Sequence, residues 1–198
     1  MFDRSVALGA SAGRTLLPAL VGGPTRRTDV RARPGDRREW QGEEGRPEGR
    51  LRVRMVAEED LPRLALLDQA IFVGAAYPYF VLRQLFDVHG DRFLVLDHGA
   101  GLSGYVLAAT VPRGQVSWIL GLGVLKQYRG LGHGRVLLAE MLRLLTDDQV
   151  GEVRLSVEPH NADAVALYRS LGFTEVGRRD GYFGRGGDRL IMALLLKR

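Results

Sequence analysis

An apolar strand, a glycine-rich turn and an amphipathic helix follow one another between Val116 and Leu145, and this triplet constrains the fold more than any other stretch of the chain. Val116 to Leu125 is apolar and long enough for one strand of a sheet. The helix is read over Gly130 to Leu145, because Leu138, Met141, Leu142 and Leu145 recur at i, i+3, i+4 and i+7 and so share one face. Between them stands Arg129-Gly-Leu-Gly-His-Gly-Arg135. A strand entering a helix through so short a turn requires a layered α/β arrangement, with the apolar helix face laid on the sheet.

The same turn is where chemistry is written. The first N–H groups of a helix have no intrahelical partner, and the helix dipole puts positive charge there. Glycines let the chain curl so that successive N–H groups aim at one spot, and they leave room for an anion to approach. Arg129 and Arg135 add charge, so the turn suits a phosphate or diphosphate. A P-loop requires Gly-Lys-Ser/Thr, whereas this turn ends Gly134-Arg-Val136. A dinucleotide fingerprint requires G-x-G-x-x-G at the first strand of a parallel unit, and here the spacing differs and the turn comes late. The competing reading is a glycine loop serving only a tight turn.

Around this centre the chain alternates strand and helix signals. Leu51 to Val56 alternates as a strand. Glu58, Glu59 and Asp60 before Leu61-Pro62 mark a helix start. That helix carries Leu61, Leu64, Leu67, Asp68 and Ile71 at helical spacing and ends by Gly74, and a second covers Tyr79 to Val88. Strands follow over Arg92–Leu96 and Leu102–Val111, joined by a turn at His98–Gly101, and Pro112–Gly114 turns the chain again. Glu152–Val157 is a strand, and Asn161–Leu171 is a helix with an Asn cap and Gly172 just beyond its end. Thr174–Arg179 and Leu190–Leu196 close the sequence as strands. The order is that of a mostly antiparallel sheet with helices on its faces and at least one βαβ unit.

Composition narrows the function classes. There are no cysteines, which removes disulfide frameworks, thiolate metal sites and a cysteine nucleophile. No apolar run reaches the length of a transmembrane helix. The net charge is +5, from 28 basic and 23 acidic residues, and only Lys126 and Lys197 among the basic ones are lysines. The charges are interspersed, which argues against a nucleic-acid surface and fits a small polyanionic ligand. Residues 1–49 differ from the rest. They hold four of the eight prolines, and from Pro24 to Arg50 only Val30 and Trp40 are large and apolar. Such a segment cannot offset its ordering entropy and is expected to be a weakly structured extension of a domain spanning 50–198. Arg14 interrupts the mildly apolar stretch Val6–Val21, and no clean small-residue cleavage site follows, which speaks against a secretory signal.

Two segments carry a family resemblance. Arg129-x-x-Gly132-x-Gly134 matches the Q/R-x-x-G-x-G/A signature of the GNAT superfamily of N-acetyltransferases, after a strand ending in Val124-Leu-Lys-Gln-Tyr128. Leu155-Ser-Val-Glu-Pro-His-Asn161 and Ala-Leu-Tyr168-Arg-Ser-Leu-Gly-Phe173 resemble its second conserved stretch. The likeness covers residues 51–198 and implies the GNAT fold, a mixed, mostly antiparallel seven-stranded sheet with about four helices.

The resemblance implies acetyl transfer from acetyl-CoA to a primary amine, without a metal. It assigns the diphosphate to Arg129, Gly130, Leu131, Gly132, His133, Gly134 and Arg135, and the pantetheine arm to Leu122, Gly123 and Val124. A bulge there would free backbone N–H groups to polarise the thioester carbonyl. Asn161 would cap its helix, contact the cofactor arm, or do both. Tyr168 would protonate the departing thiolate, although periodicity alone also accommodates it as a core tyrosine. Relatives that acetylate protein N-termini place Glu or His where this chain has Ser156, a poor base. Glu158, two residues on, or water chains from Ser156 are the alternatives. Tyr77, Tyr79, Tyr182 and Phe183 would line an acceptor groove as in the ribosomal-protein alanine and protein N-terminal acetyltransferases. The acceptor expected is a protein or peptide α-amine; a small-molecule amine, or acyl-CoA binding without turnover, remain open. A cytoplasmic protein, monomeric or homodimeric, without membrane or nucleic-acid partners, completes the expectation.

Overall fold

The computed structural model describes residues 51–196 except Ala100 and residues 112–114. The expected extension over 1–49, the domain boundary at residue 50 and the turn at 112–114 lie outside the described residues.

Seven strands form one sheet in the order β1-β2-β3-β4-β5-β7-β6. They are β1 (Arg52–Met55), β2 (Phe93–Asp97), β3 (Leu102–Thr110), β4 (Val116–Val124), β5 (Glu152–Val157), β6 (Thr174–Arg179) and β7 (Arg189–Leu195). All neighbours are antiparallel except β4 and β5. Four helices accompany them: α1 (Leu61–Ile71), α2 (Tyr79–His89), α3 (His133–Asp147) and α4 (Ala162–Ser170). The architecture is the expected one: α3 crosses from β4 to the parallel β5, which is the βαβ unit that the turn and helix call for. None of these helices is long and apolar enough to cross a membrane.

Alternation along the central strands sorts the core into two layers. Leu94, Leu96, Val106, Ala108, Val153, Leu155 and Val157 face Leu137, Leu138, Met141 and Leu145 of α3 and Val165 and Tyr168 of α4. Phe93, Val95, Tyr105 and Leu107 face the other way, onto Leu61, Leu64 and Ile71 of α1 and Leu82 of α2. Because β2 and β3 are covered on both faces, they read as continuous apolar runs. Each such burial removes a side chain from water at a gain of about 1.5–3 kcal/mol. β6, at the edge, is almost wholly exposed. At the other edge Arg54 of β1 clamps Asp60 (2.5 and 2.9 Å) and Asp97 (2.8 Å), fixing the entry to α1. The Arg54 guanidinium holds the Asp60 carboxyl below its ordinary range against the opposing effect of burial.

The element boundaries differ from the sequence expectation chiefly at α3. It starts at His133 rather than Gly130, since Gly130 (φ 77°) and Gly132 (φ 80°) lie in the left-handed region and cannot be helical. It also runs two residues past Leu145.

Candidate active site

The sheet opens where β4 and β5 part. Their parallel register runs only from Val116 opposite Glu152 to Ile119 opposite Leu155. On its other side β4 carries a bulge: Gly121 pairs with Leu107 and Ile119 with Ala108, leaving Leu120 as the extra residue. A bulge bends its strand and disrupts the ladder locally, so the second half of β4 leaves β5 and the gap becomes a cleft. The bulge falls slightly before the Leu122–Val124 segment where sequence reasoning placed it.

A cavity of about 530 Å³ occupies this cleft. One wall is β4, through Leu122, Gly123 and Val124; the next is the turn into α3, through Arg129, Gly130, Gly132, His133, Gly134 and Arg135. The third is α4, through Asn161, Asp163, Ala164, Ala166, Leu167 and Tyr168, and the C-terminal end of α1 closes the fourth with Ile71 and Phe72. These are most of the sites read from the sequence, with one exception in the turn. Leu131 is 57 % exposed and lines no part of the cavity, because the positive φ angles of its two neighbours throw it outward.

The turn leaves the first N–H groups of α3 open and uncrowded. Gly132 is the N-cap of α3 and offers no side-chain cap to the first N–H groups. A Cβ added to Gly130 or Gly132 would meet nothing within 4 Å, so these two glycines serve conformation and open space. Gly134 serves packing, since its Cβ would stand 3.3 Å from Leu167 Cδ2 of α4. Arg129 is steered by a bond from its Nε to the Val124 carbonyl (3.0 Å). Arg135 reaches Ser170 Oγ of α4 (2.5 Å).

Beneath the turn the rings of His98, Tyr128 and His133 stack, with centroids 4.8 Å apart for His98–Tyr128 and 5.8 Å for Tyr128–His133. Burial holds both imidazoles below their ordinary titration range; His98 adds to the lowering at His133, while Asp97 works against it at His98. Neither His98 Nε2 nor His133 Nδ1 has a hydrogen-bond partner among the described residues.

On α4, Asn161 is the cap expected of it: its side-chain oxygen accepts from the Ala164 N–H (3.2 Å). Tyr168, two turns on, is 7 % exposed, with its ring 5.9 Å from Phe173 and one side on the cavity. Core burial and cavity lining therefore hold together for this residue.

The remaining candidates do not line the cavity. Ser156 lies on the face of β5 opposite the buried Leu155 and Val157. Glu158, just past β5, pairs at 3.8 Å with Arg189, which is buried and sits under the Phe183 ring at 4.8 Å. Tyr182 and Phe183 pack edge to face in the β6–β7 connection. Tyr77 belongs to the α1–α2 connection and Tyr79 opens α2; the Tyr77 hydroxyl donates to the Leu120 carbonyl (3.3 Å), and Tyr79 is exposed. Sequence reasoning missed Ile71, Phe72, Tyr128, Asp163, Ala164, Ala166 and Leu167. Of the four on α4, Ala164 and Leu167 share the Asn161–Tyr168 face by helical spacing and could have been found. Ile71 and Phe72 reach the cavity only because of where α1 ends.

A glycine cradle at a helix start, a bulged strand leaving its parallel neighbour, and a tyrosine from the next helix define one class of enzyme: residues 58–173 match the acetyltransferase (GNAT) family. The chain belongs to that family and is an N-acetyltransferase. It is 36 % identical over 135 residues to the N-alpha-acetyltransferase RimI of Mycobacterium tuberculosis, covering 65 % of this chain and 81 % of the relative. To the ribosomal protein bS18-alanine N-acetyltransferase of Salmonella typhimurium it is 29 % identical over 145 residues, 72 % of this chain and 95 % of the relative. Among solved structures it resembles the ribosomal-protein-S18-alanine N-acetyltransferase of Escherichia coli, with a TM-score of 0.65, 25 % identity, and coverage of 75 % and 95 % of the two chains.

Proposed function

We propose that this protein moves the acetyl group of acetyl-CoA directly to the α-amine of a protein or peptide. The observation that carries the reading is the uncapped glycine turn opening onto the cleft between β4 and β5. That turn supplies backbone N–H groups and two arginines at one end of a cavity, and an apolar, bulged strand along its length. A diphosphate fits the first and an extended arm the second. Gly123 fits too, since its missing side chain keeps Ile71 and Phe72 close against β4.

Acetyl-CoA supplies an activated thioester. The residues of this chain do the rest. The N–H groups of His133, Gly134 and Arg135 hold the diphosphate, and Arg129 and Arg135 balance its charge. The β4 segment Leu122–Val124 pairs with the arm and turns an N–H toward the carbonyl oxygen, where negative charge develops during attack. As the nitrogen–carbon bond forms and the carbon–sulfur bond breaks, the Tyr168 hydroxyl gives its proton to the sulfur, and the phenolate is restored by the proton that the nitrogen sheds through water on becoming an amide. The attacking amine must first lose a proton. Glu158, just past β5, is already engaged by Arg189, so the proton leaves to solvent through water ordered at Ser156. The walls of the acceptor groove are the α1–α2 connection with Tyr77 and the start of α2 with Tyr79, and the β6–β7 connection with Tyr182 and Phe183. The aromatic surfaces suit an extended backbone.

The test is thiol release from acetyl-CoA with three acceptors: a peptide with a free N-terminus, the same peptide N-blocked but carrying a lysine, and a polyamine. Turnover confined to the first supports the reading. Turnover confined to the polyamine replaces the acceptor, and coenzyme A binding without turnover on any amine removes the catalytic role.

A further inference from the structure

The α1 helix buries an acid where its neighbours are apolar. Asp68 is fully buried, between Leu67 and the Ile71–Phe72 pair that closes the cavity. A buried carboxylate persists only when its oxygens are hydrogen-bonded, and both are. Oδ1 accepts from the Tyr105 hydroxyl at 2.5 Å, and Oδ2 accepts from the Tyr77 backbone N–H at 2.6 Å.

These donors come from the two parts that have to stay in register for transfer. Tyr105 stands on β3 directly opposite Gly123, the strand position where the arm and the carbonyl are proposed to lie. Its ring meets Phe72 edge-on at 6.2 Å. Tyr77 closes the α1–α2 connection, and its own hydroxyl reaches the carbonyl of Leu120, the extra residue of the β4 bulge. Around it the surface is open: Val73 of the connection is 81 % exposed, and Tyr79 and Phe80 at the start of α2 are more than half exposed. One carboxylate thus ties the base of an exposed wall to the strand beneath it.

The geometry points to Asp68 as a positioning residue that fixes the α1–α2 wall over the β4 bulge and so sets where the acceptor amine meets the thioester. Asp68 lies outside the cavity lining and acts through Tyr77, Tyr105 and Phe72. A misplacement of about 1 Å at such a wall is enough for a 10²-fold loss in rate. The inference rests on the proposed acceptor groove.

Asp68→Asn keeps the size but replaces one acceptor with an N–H₂ group, which then faces a donor. Two readouts decide the matter. In hydrogen exchange, the Tyr77 amide is expected to exchange at least tenfold faster in the variant, with β5 and α3 unchanged. In kinetics, kcat/KM for the peptide is expected to fall about 10- to 100-fold, with the dissociation constant for coenzyme A within twofold of the parent. Unchanged exchange at Tyr77 with unchanged kcat/KM overturns the inference, and so does a loss of coenzyme A affinity matching the kinetic loss. If Asp68→Asn does not fold, Tyr77→Phe decides, because it removes only the hydroxyl bond to Leu120. A threefold or greater fall in peptide kcat/KM with coenzyme A binding retained supports the role, and an unchanged ratio rejects it. An inactive parent enzyme would sink the proposed function, while the exchange result at Tyr77 would still decide whether Asp68 holds the wall.

Discussion

Replacing Gly132 by alanine separates the conformational work of the turn from its binding work. Gly132 has φ 80° and ψ 0°, and a Cβ there would meet nothing within 4 Å, so the penalty is strain alone. The left-handed conformation costs an L-residue roughly 1–2 kcal/mol, and the stiffer unfolded chain returns about 0.4–1 kcal/mol. The net is about 1 kcal/mol of lost stability, or roughly 2–4 °C in Tm for a domain of this size. If the turn relieves that strain by rotating a peptide unit, it re-aims one or two N–H groups. Each charge-assisted bond lost is worth about 1.5–3 kcal/mol, so the loss of one should weaken coenzyme A binding by about 10- to 150-fold and the loss of two by more than about 100-fold. Gly184→Ala is the control: φ is 93°, its Cβ would also meet nothing, and it lies in the β6–β7 connection away from the cavity. Thermal melts and calorimetric titration with coenzyme A should show similar Tm losses for both variants and a binding loss only at Gly132. Equal binding losses in both, or none in Gly132→Ala, would refute the cradle.

Tyr168→Phe should fold, since the ring is packed against Phe173, and should lower kcat about 10²–10⁴-fold with little change in coenzyme A affinity in a thiol-release assay. Gly123→Ala would put a Cβ 2.7 Å from Ile71 Cγ2 and 3.0 Å from the Phe72 ring, so urea denaturation should show a loss of about 1–3 kcal/mol from overpacking. The half-buried His98 and the buried His133 give an acid sensitivity. Their folded-state pKa values are lowered, so the unfolded chain binds the more protons as pH falls toward and below the ordinary value of 6.5. Stability present above that value should be lost below it, and a His98→Gln/His133→Gln double variant should show a shallower fall in Tm with acid; an unchanged slope would contradict the neutral stack.

The parts of this fold legible in the sequence are those governed by local periodicity. The α3 face through Leu138, Met141, Leu142 and Leu145 and the Asn161 cap both stand as read, because spacing and side-chain chemistry determine them. The start of α3 was misplaced by three residues, since glycine is compatible with a helix and with the left-handed turn that it forms here. The contribution of Ile71 and Phe72 to the cavity was not legible. It depends on where α1 ends over Gly123, a contact between positions about fifty residues apart. The Glu158–Arg189 pair escaped for the same reason, being a product of the β5–β7 register.

The most direct test of the whole account compares two ligands on the purified protein by calorimetry. Coenzyme A carries the diphosphate, and pantetheine carries the same arm without it. The account predicts that coenzyme A binds at least a hundredfold more tightly, and that Gly132→Ala erases most of that difference. Equal affinities for the two ligands would mean that the glycine turn grips nothing, and the assignment of the cleft would fall with it.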